Sequence, residues 1–425
     1  MLDPRELAER RDEIAESCRR RGVRADIDAA VRARDEAVRL RTELQEWNQR
    51  RKEHQSAGKK KLASDEREAH TGEGRRIKEA VGAAEKRLAE AERVLHEQLL
   101  DLPNFVHPDV PQGGEEDFRE LRRVGEPPRF AFEARDHLAL GQALDLFDFE
   151  AGAKVSGQKF YFLKNELALL ELALQHFALD VARKAGFTPH STPDLARRSI
   201  VDSLAFSPRG DETQIYSVAG TDLDLVGTAE ITLGGLGADV IFEESDLPVR
   251  LAGLSHCFRT EAGSHGRESK GLYRVHQFSK VELFAFCRPE DSDALHEELV
   301  GIEEHILQAL EIPYRVIDVA SGDLGAPAYR KFDIEAWMPG RGEGGTYGEV
   351  TSASNCTDFQ TRRLKTRFRR AGTKKNELVH SLNGTAVAMP RLLIPLLENH
   401  QQADGSIAVP DGLRTYTGFD RIGPR

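Results

Sequence analysis

The sequence predicts an α+β protein: a large antiparallel sheet surrounded by helices, preceded by a long antiparallel pair of helices. Three observations carry this. Apolar residues recur at alternating spacings of four and three from Ile77 to Leu95, with a looser apolar stripe upstream. Short alternating runs broken by Gly or Pro follow after Asn104. At 425 residues the chain exceeds one ordinary compact domain. The expected division is a helical arm over 1–105 and a second domain over 106–425.

In the arm, Ile77, Val81, Ala84, Leu88, Ala91 and Leu95, then Leu99 and Leu102, form a coiled-coil seam. Glu, Lys, Arg and Ala, all good helix formers, fill the positions between. Upstream, Ile27, Val31, Val38, Leu44 and Trp47 give a looser stripe. The polar, turn-rich stretches 56–61 and 71–74 lie between, so the hairpin is expected to close over 56–74. Pro103 stops the second helix. A two-helix arm has little core and must project into solvent. Its tip carries Arg50, Arg51, Lys52, Lys59, Lys60, Lys61, Arg75, Arg76 and Lys78. Such a cluster suits a solvated or dimerising face, or a track for an RNA phosphate backbone. The arm alone leaves both open.

Beyond the arm, the strongly apolar stretch 167–185 reads as a long buried helix, ended by Gly186 and Pro193. Strand-like runs follow at 249–254, 281–286, 314–319 and 332–337, with a helix over 291–310 between two of them.

Composition narrows the function. A net charge of −11 argues against a non-specific nucleic-acid coat, though it leaves room for a local basic patch. Four dispersed cysteines with no C-x-x-C pair suggest neither a zinc site nor a disulfide framework, and point to a reducing compartment. No run approaches the ~20 apolar residues of a membrane span, and the start is acidic from Asp3, unlike a secretion signal or transit peptide. The expectation is a soluble cytoplasmic protein with no membrane partner. Both common nucleotide-binding glycine loops are missing, so any use of ATP would fall to arginines on a sheet surface.

One segment concentrates the chemistry. Arg259-Thr260-Glu261 is followed by a polar loop over 262–271, then by Arg274-Val275-His276-Gln277-Phe278 and Glu282. This reads as strand, loop and returning strand, with Arg259, Glu261 and Glu282 at even spacings that would face one side of a sheet. From spacing alone, paired surface charges are as good a reading as a site. His276 reads as a structural histidine.

That segment resembles the second motif of the class II aminoacyl-tRNA synthetases. Further blocks make the whole resemble the seryl-tRNA synthetases: Gly227-Thr228-Ala229-Glu230, the run from Glu349 to Gln360, Asn383-Gly384-Thr385 through Arg391, and the stretch 328–339. The helix ending at Gly186 resembles the first motif, which builds a dimer interface. With the arm included, the likeness covers nearly the whole chain. It implies a class II sheet domain with a tRNA-binding coiled-coil arm, formation of seryl-adenylate from L-serine and ATP with Mg²⁺, and transfer to the 3′ end of tRNA(Ser). It also implies a homodimer, and it leaves tRNA(Sec) open as a second acceptor.

By the same resemblance Arg259, Glu349 and Arg391 are catalytic. Arg259 lies against the α-phosphate and the serine carboxylate, and Arg391 holds the far end of the triphosphate from the start of a helix over 391–399. Thr260, Glu261, Val275, Phe278, Val350 and Thr351 complete the ATP site, with Phe278 stacking on adenine. Glu349 and Ser352 are the Mg²⁺ ligands. Thr228, Ala229, Glu230, Arg259, Glu282 and Thr385 bind serine. A pocket built to hydrogen-bond a hydroxyl rejects alanine, whose binding would leave buried polar groups unpaired.

Two positions depart from the common bacterial pattern. Many bacterial seryl enzymes have an arginine just before the glutamate, where this chain has Gly348, and the third motif here is poor in glycine (384–390). Both features look more like the mitochondrial type. A bacterial cytoplasmic protein of that lineage is the expectation, with a processed mitochondrial chain as the alternative. Two other functions compete: a ligase loading a small amino acid onto a carrier protein or antibiotic precursor, and a non-catalytic coiled-coil protein on an inactive core. The long arm counts against the first, and the full set of charged site residues against the second.

Overall fold

The computed structural model describes residues 1–59, 64–206, 214–261 and 271–424; the side chains of 64 and 65 are not described. Lys60 and Lys61 of the arm's tip, and 262–270 of the polar loop, therefore lie outside the described residues. The chain divides into two compact units, Met1–Phe105 and Val106–Arg425. No helix among the described residues is long and apolar enough to cross a membrane.

The first unit holds helices α1 (Arg11–Arg20), α2 (Ile27–Ala57) and α3 (Ser64–Leu100). Asp26 caps α2, its carboxylate accepting from the Ala29 N–H at 2.8 Å. Arg41 pairs with Glu92 at 2.7 Å, and Glu43 with Arg87 at 2.9 Å. His54 meets His70 nearer the tip, so α2 and α3 run antiparallel.

Two details differ from the sequence reading. Helix α3 begins at Ser64, so 71–74 is helix and not junction. The reason is tertiary: a Cβ at Gly74 would stand 3.0 Å from the His54 ring, and that ring stacks on His70 with centroids 3.7 Å apart. The close approach that glycine permits outweighs its intrinsic helix penalty of about 1 kcal/mol. The seam of α2 also runs differently. Ile27, Ala30, Ala37 and Leu40 are buried, whereas Val38 is 47% exposed. These positions keep the three–four period, and small alanines let the helices approach; Val31 and Val38 are more apolar but lie off the seam.

In the second unit eight strands form one sheet: β1 (Arg119–Val124), β2 (Thr188–Ser191), β3 (Val249–Phe258), β4 (Gln277–Cys287), β5 (Tyr314–Asp318), β6 (Arg330–Met338), β7 (Thr346–Asn355) and β8 (His380–Ala388). Their order is β1-β5-β6-β7-β8-β4-β3-β2. Neighbours are antiparallel except β2 and β3. Around it stand α4 (Asn165–Lys184), α5 (Ala229–Gly235), α6 (Ser292–Ala309) and α7 (Met389–Asn399).

Strand β4 shows how the sheet divides its faces. Val281, Leu283 and Ala285 point into the main core with Leu170 and Leu174 of α4 and Leu299 of α6. Phe278, Lys280 and Glu282 alternate with them onto the other face. Further along that second face, Phe284 and Phe286 pack with Ala229 and Leu233 of α5. One end of this face is therefore sealed by apolar packing, and the other is left polar.

Candidate active site

Over that polar end lies a cleft of about 510 Å³, lined by residues of β4, β7 and β8 and of the segments beside them. Arg259 does not sit within β3, which ends at Phe258, but its N–H donates to the His276 carbonyl at 3.0 Å and extends the ladder one step. Its Nε donates to the Gly227 carbonyl at 3.3 Å, and its guanidinium carbon stands 5.4 Å from the Phe278 ring centroid. Thr260 and Glu261 have left the strand. Their N–H groups donate to the carbonyl and the side-chain oxygen of Gln214, and Glu261 takes a left-handed φ of 51°. The turn, not the strand's alternation, therefore aims the Glu261 carboxylate, which Arg274 meets at 3.3 Å. Val275 and Phe278 complete this end of the cleft. His276 accepts no exposed role: its Nδ1 contacts the Arg259 carbonyl at 2.8 Å, as expected of a structural histidine.

A second cluster lies beside it. Thr228 is the N-cap of α5; its Oγ1 accepts from the Glu230 N–H at 3.2 Å and from Lys280 Nζ at 3.1 Å. Lys280 also forms an ion pair with Glu282. Thr385 stands directly opposite Glu282 on the neighbouring strand, which puts a hydroxyl and a carboxylate side by side. Glu230 Oε1 accepts from Gln360 Nε2 at 2.6 Å and from Asn383 Nδ2 at 3.1 Å. Gln360 is itself clamped, receiving Ser381 Oγ at 2.7 Å and donating to the Leu204 carbonyl at 3.0 Å. Burial, helped by the nearby Glu282 charge, lifts Glu230 to about 7, and burial likewise raises Glu282.

At the other end, Arg391 lies in the first turn of α7, which begins at Met389, two residues before the expected start. Its Nη1 pairs with Glu349 at 3.0 Å and its guanidinium carbon stands 4.8 Å from the Tyr273 ring centroid. Burial would raise the Glu349 carboxyl, but Arg391 and Lys331 outweigh it and hold it down to about 2. The Glu349 side chain keeps 42% of its surface open. The ladder between β6 and β7 slips at this point: Glu335 faces Glu349 while Ile334 faces Thr351, leaving Val350 as the bulged residue. The extra residue changes the parity, so Glu349 and Ser352 project on the same face as Glu335 and Asp333. Ser352 hydrogen-bonds Asp333, which Lys331 approaches to 3.2 Å.

Of the residues expected from sequence, Arg259, Glu261, Val275, Phe278, Glu349, Val350, Thr351, Thr385 and Arg391 all line the cleft. Glu230, Glu282 and Thr228 back onto it through Lys280, Gln360 and Asn383. Two side chains turn away. Ala229 is buried in the apolar cluster under α5. Thr351 Oγ1 donates through the sheet's other face to Glu303 at 2.8 Å, a carboxyl that burial pushes well up. Only the backbones of Ala229 and Thr351 can serve a ligand. Sequence reasoning passed over Tyr273, Arg274, Lys280, Gln360 and Asn383 as site residues. Lys280 was readable, because it shares the two-residue alternation of Phe278 and Glu282.

Known proteins resemble this chain over its full length. A model of the seryl-tRNA synthetase N-terminal domain matches residues 1–106, and one of the class II tRNA synthetase core domain (G, H, P, S and T) matches 217–400. The chain is 53% identical to a serine–tRNA ligase of Treponema denticola, with all of both chains covered. It is 52% identical to one of Rhodopirellula baltica over 99% of each. Among solved structures, seryl-tRNA synthetase from Pyrococcus horikoshii complexed with ATP aligns with a TM-score of 0.89 at 37% identity, covering both chains in full. The cytoplasmic serine–tRNA ligase of Naegleria fowleri in complex with AMP gives 0.82 at 32% identity, over 100% of this chain and 99% of that one. The chain belongs to the seryl-tRNA synthetases, a family of the class II aminoacyl-tRNA synthetases.

Proposed function

We propose that the cleft forms seryl-adenylate from L-serine and ATP and that the protein passes the seryl group to the 3′ end of tRNA(Ser). The observation that carries the reading is the meeting of two kinds of group at one cleft: Arg259 and Arg391 line it, and so does Thr385, which stands directly opposite the buried Glu282. In the first step a serine carboxylate oxygen attacks the α-phosphorus, the bond to the β-phosphate breaks, and pyrophosphate leaves. Arg259 lies at the junction, where its planar fork suits both the incoming carboxylate and the α-phosphate oxygens. Phe278 and Glu261 take the adenine face and edge. Arg391 meets the departing phosphates. In the second step a hydroxyl at the 3′ end of the tRNA attacks the carbonyl carbon and AMP leaves.

The serine end selects by polarity. Glu230 accepts the ammonium group, while Glu282 and Thr385 bond the hydroxyl. Alanine would offer neither group a hydroxyl, leaving buried hydrogen-bonding capacity unused. Among the described residues no trio of His, Cys, Asp or Glu is placed to hold a metal ion. Glu349 and Ser352, brought to one face by the bulge, still offer the one or two oxygens with which Mg²⁺ is held beside substrate phosphates. Bound there with the nucleotide, the ion would neutralise phosphate charge.

The arm is the element we assign to tRNA, as its basic tip and solvent-facing length support. A homodimer is supported by two exposed leucines on α4, Leu169 (53%) and Leu172 (61%), in the helix that resembles the first class II motif. The bacterial cytoplasm is the proposed location. Nothing favours the carrier-protein ligase: a seryl-tRNA synthetase N-terminal domain model matches the whole arm. The decisive test is ATP–pyrophosphate exchange with and without serine, followed by charging of tRNA. Exchange without charging returns the carrier-protein reading; no serine-dependent exchange removes the function altogether.

A further inference from the structure

Gly348 precedes Glu349 on β7, and the space beside it is already taken. A Cβ built at Gly348 would stand 2.0 Å from Arg341 Nη1. Position 348 and the Arg341 guanidinium therefore compete for one volume. Arg341 comes from the turn between β6 and β7, where its N–H donates to the Met338 carbonyl at 3.1 Å. Its Nη1 lies 3.3 Å from the Tyr347 carbonyl and 3.4 Å from the Tyr273 hydroxyl, and its guanidinium carbon stands 4.8 Å from the Tyr273 ring centroid. Arg391 stands at the same distance from the same ring. Tyr273 in turn lines both the ATP cleft and a second cavity of about 710 Å³ that Arg341 borders.

The turn that carries Arg341 is held from beneath. Gly340 N–H donates to Glu398 Oε2 at 2.8 Å, and Glu398 Oε1 receives the His137 N–H at 2.9 Å and its ring Nδ1 at 3.0 Å. Glu398 thus anchors the backbone at the base of the turn. A fixed turn presents a guanidinium against Tyr273, whose hydroxyl donates to the Glu349 carbonyl at 3.4 Å and whose ring also carries Arg391; in the ATP reading the triphosphate's outer oxygens would lie at that end of the cleft. A planar, permanently charged group suits phosphate oxygens there.

We propose that Arg341 is a further ATP-binding residue, holding the outer phosphates from the volume that a side chain at position 348 would otherwise fill. The inference rests on the reading of the cleft as an ATP site. The test is serine-dependent exchange and calorimetric binding of ATP and of AMP, on the full-length protein, its R341A and R341Q variants, and the double variant R341A/G348R. Loss of a charge-assisted contact should raise the ATP KM about tenfold or more in R341A and R341Q. AMP affinity and serine KM should stay within about twofold, because neither ligand carries outer phosphates. The double variant should recover most of the ATP loss, since the arginine returns to the vacated volume.

An unchanged ATP KM in both single variants overturns the proposal. So does equal weakening of ATP and AMP, the signature of a purely structural arginine. A double variant no better than R341A refutes the shared-volume argument. If the unmodified protein gives no serine-dependent exchange, the ATP reading beneath the proposal falls, and that outcome is distinct from the other three.

Discussion

Replacing Gln360 by leucine tests the serine end of the cleft without touching a group that meets the substrate. Gln360 Nε2 donates to Glu230 at 2.6 Å, and its carbonyl is fixed by Ser381, so the amide cannot turn away. A hydrogen bond to an ionised group contributes about 1.5–3 kcal/mol. Losing the lower figure raises the carboxyl by about one unit, at 1.36 kcal/mol per unit. Glu230 starts at about 7, so in the variant it would titrate near pH 8. Only the ionised form attracts the serine ammonium, so serine binding weakens on the acid side of that value. The expected result in serine-dependent exchange between pH 6 and 9 is a serine KM about fivefold higher at pH 7, recovering as pH rises, with the ATP KM unmoved. Because Gln360 is fully buried, S381A serves as a companion; it loosens the clamp and leaves the amide, so a smaller shift in the same direction should follow. A serine KM whose acid limb stays where it was in both variants refutes the argument that Gln360 sustains the Glu230 charge.

Other predictions address the remaining parts. Arg259→Ala should slow adenylate formation by about 3 kcal/mol or more, read as a drop in kcat/KM of over a hundredfold in single-turnover exchange. Near-normal activity would move the reacting centre elsewhere. Deleting residues 32–98 should leave exchange largely intact and abolish tRNA charging; charging at near the original efficiency would take tRNA binding away from the arm.

The sequence carried the elements with strong period and the site residues that lie within quoted blocks. The seam from Ile77 to Leu99, helix α4 and the strands around 249–254, 281–286, 314–319 and 332–337 were all visible, because each pattern repeats along its own segment. What stayed hidden depends on contacts distant in sequence. Gly72 and Gly74 looked like turn residues until His54 was found packed against Gly74. Ala30 and Ala37 form the seam because α3 approaches closely there, and no hydrophobicity count would favour them over Val38. The clamp on Glu230 joins residues 230, 360, 381 and 383, and a single sequence offers no signal for such a meeting. Gly348 was legible as a departure, but its meaning appeared only when Arg341 was seen in its space.

The cleft sets its two ends at opposite electrostatic extremes on one sheet. At the phosphate end Arg391 and Lys331 outweigh burial and hold the Glu349 carboxyl down to about 2. At the serine end Glu230 and Glu282 are buried beside each other, with Lys280 their shared cation, and both are raised. The sign of the resulting linkage is fixed. A carboxyl raised in the folded state favours the fold below its unfolded value near 4.5, and that contribution is lost as pH climbs through about 7. Ionising Glu230 and Glu282 is therefore unfavourable near neutrality, and in the proposed reading the serine ammonium offsets that cost. At the phosphate end the cations stand in ion pairs, Arg391 with Glu349 and Lys331 with Asp333 and Asp323. In the proposed reading charge sorts the two substrates before any shape is tested: the ammonium is drawn to the buried carboxylates and the phosphates to the arginines, with Arg259 facing the serine carboxylate and the α-phosphate that react.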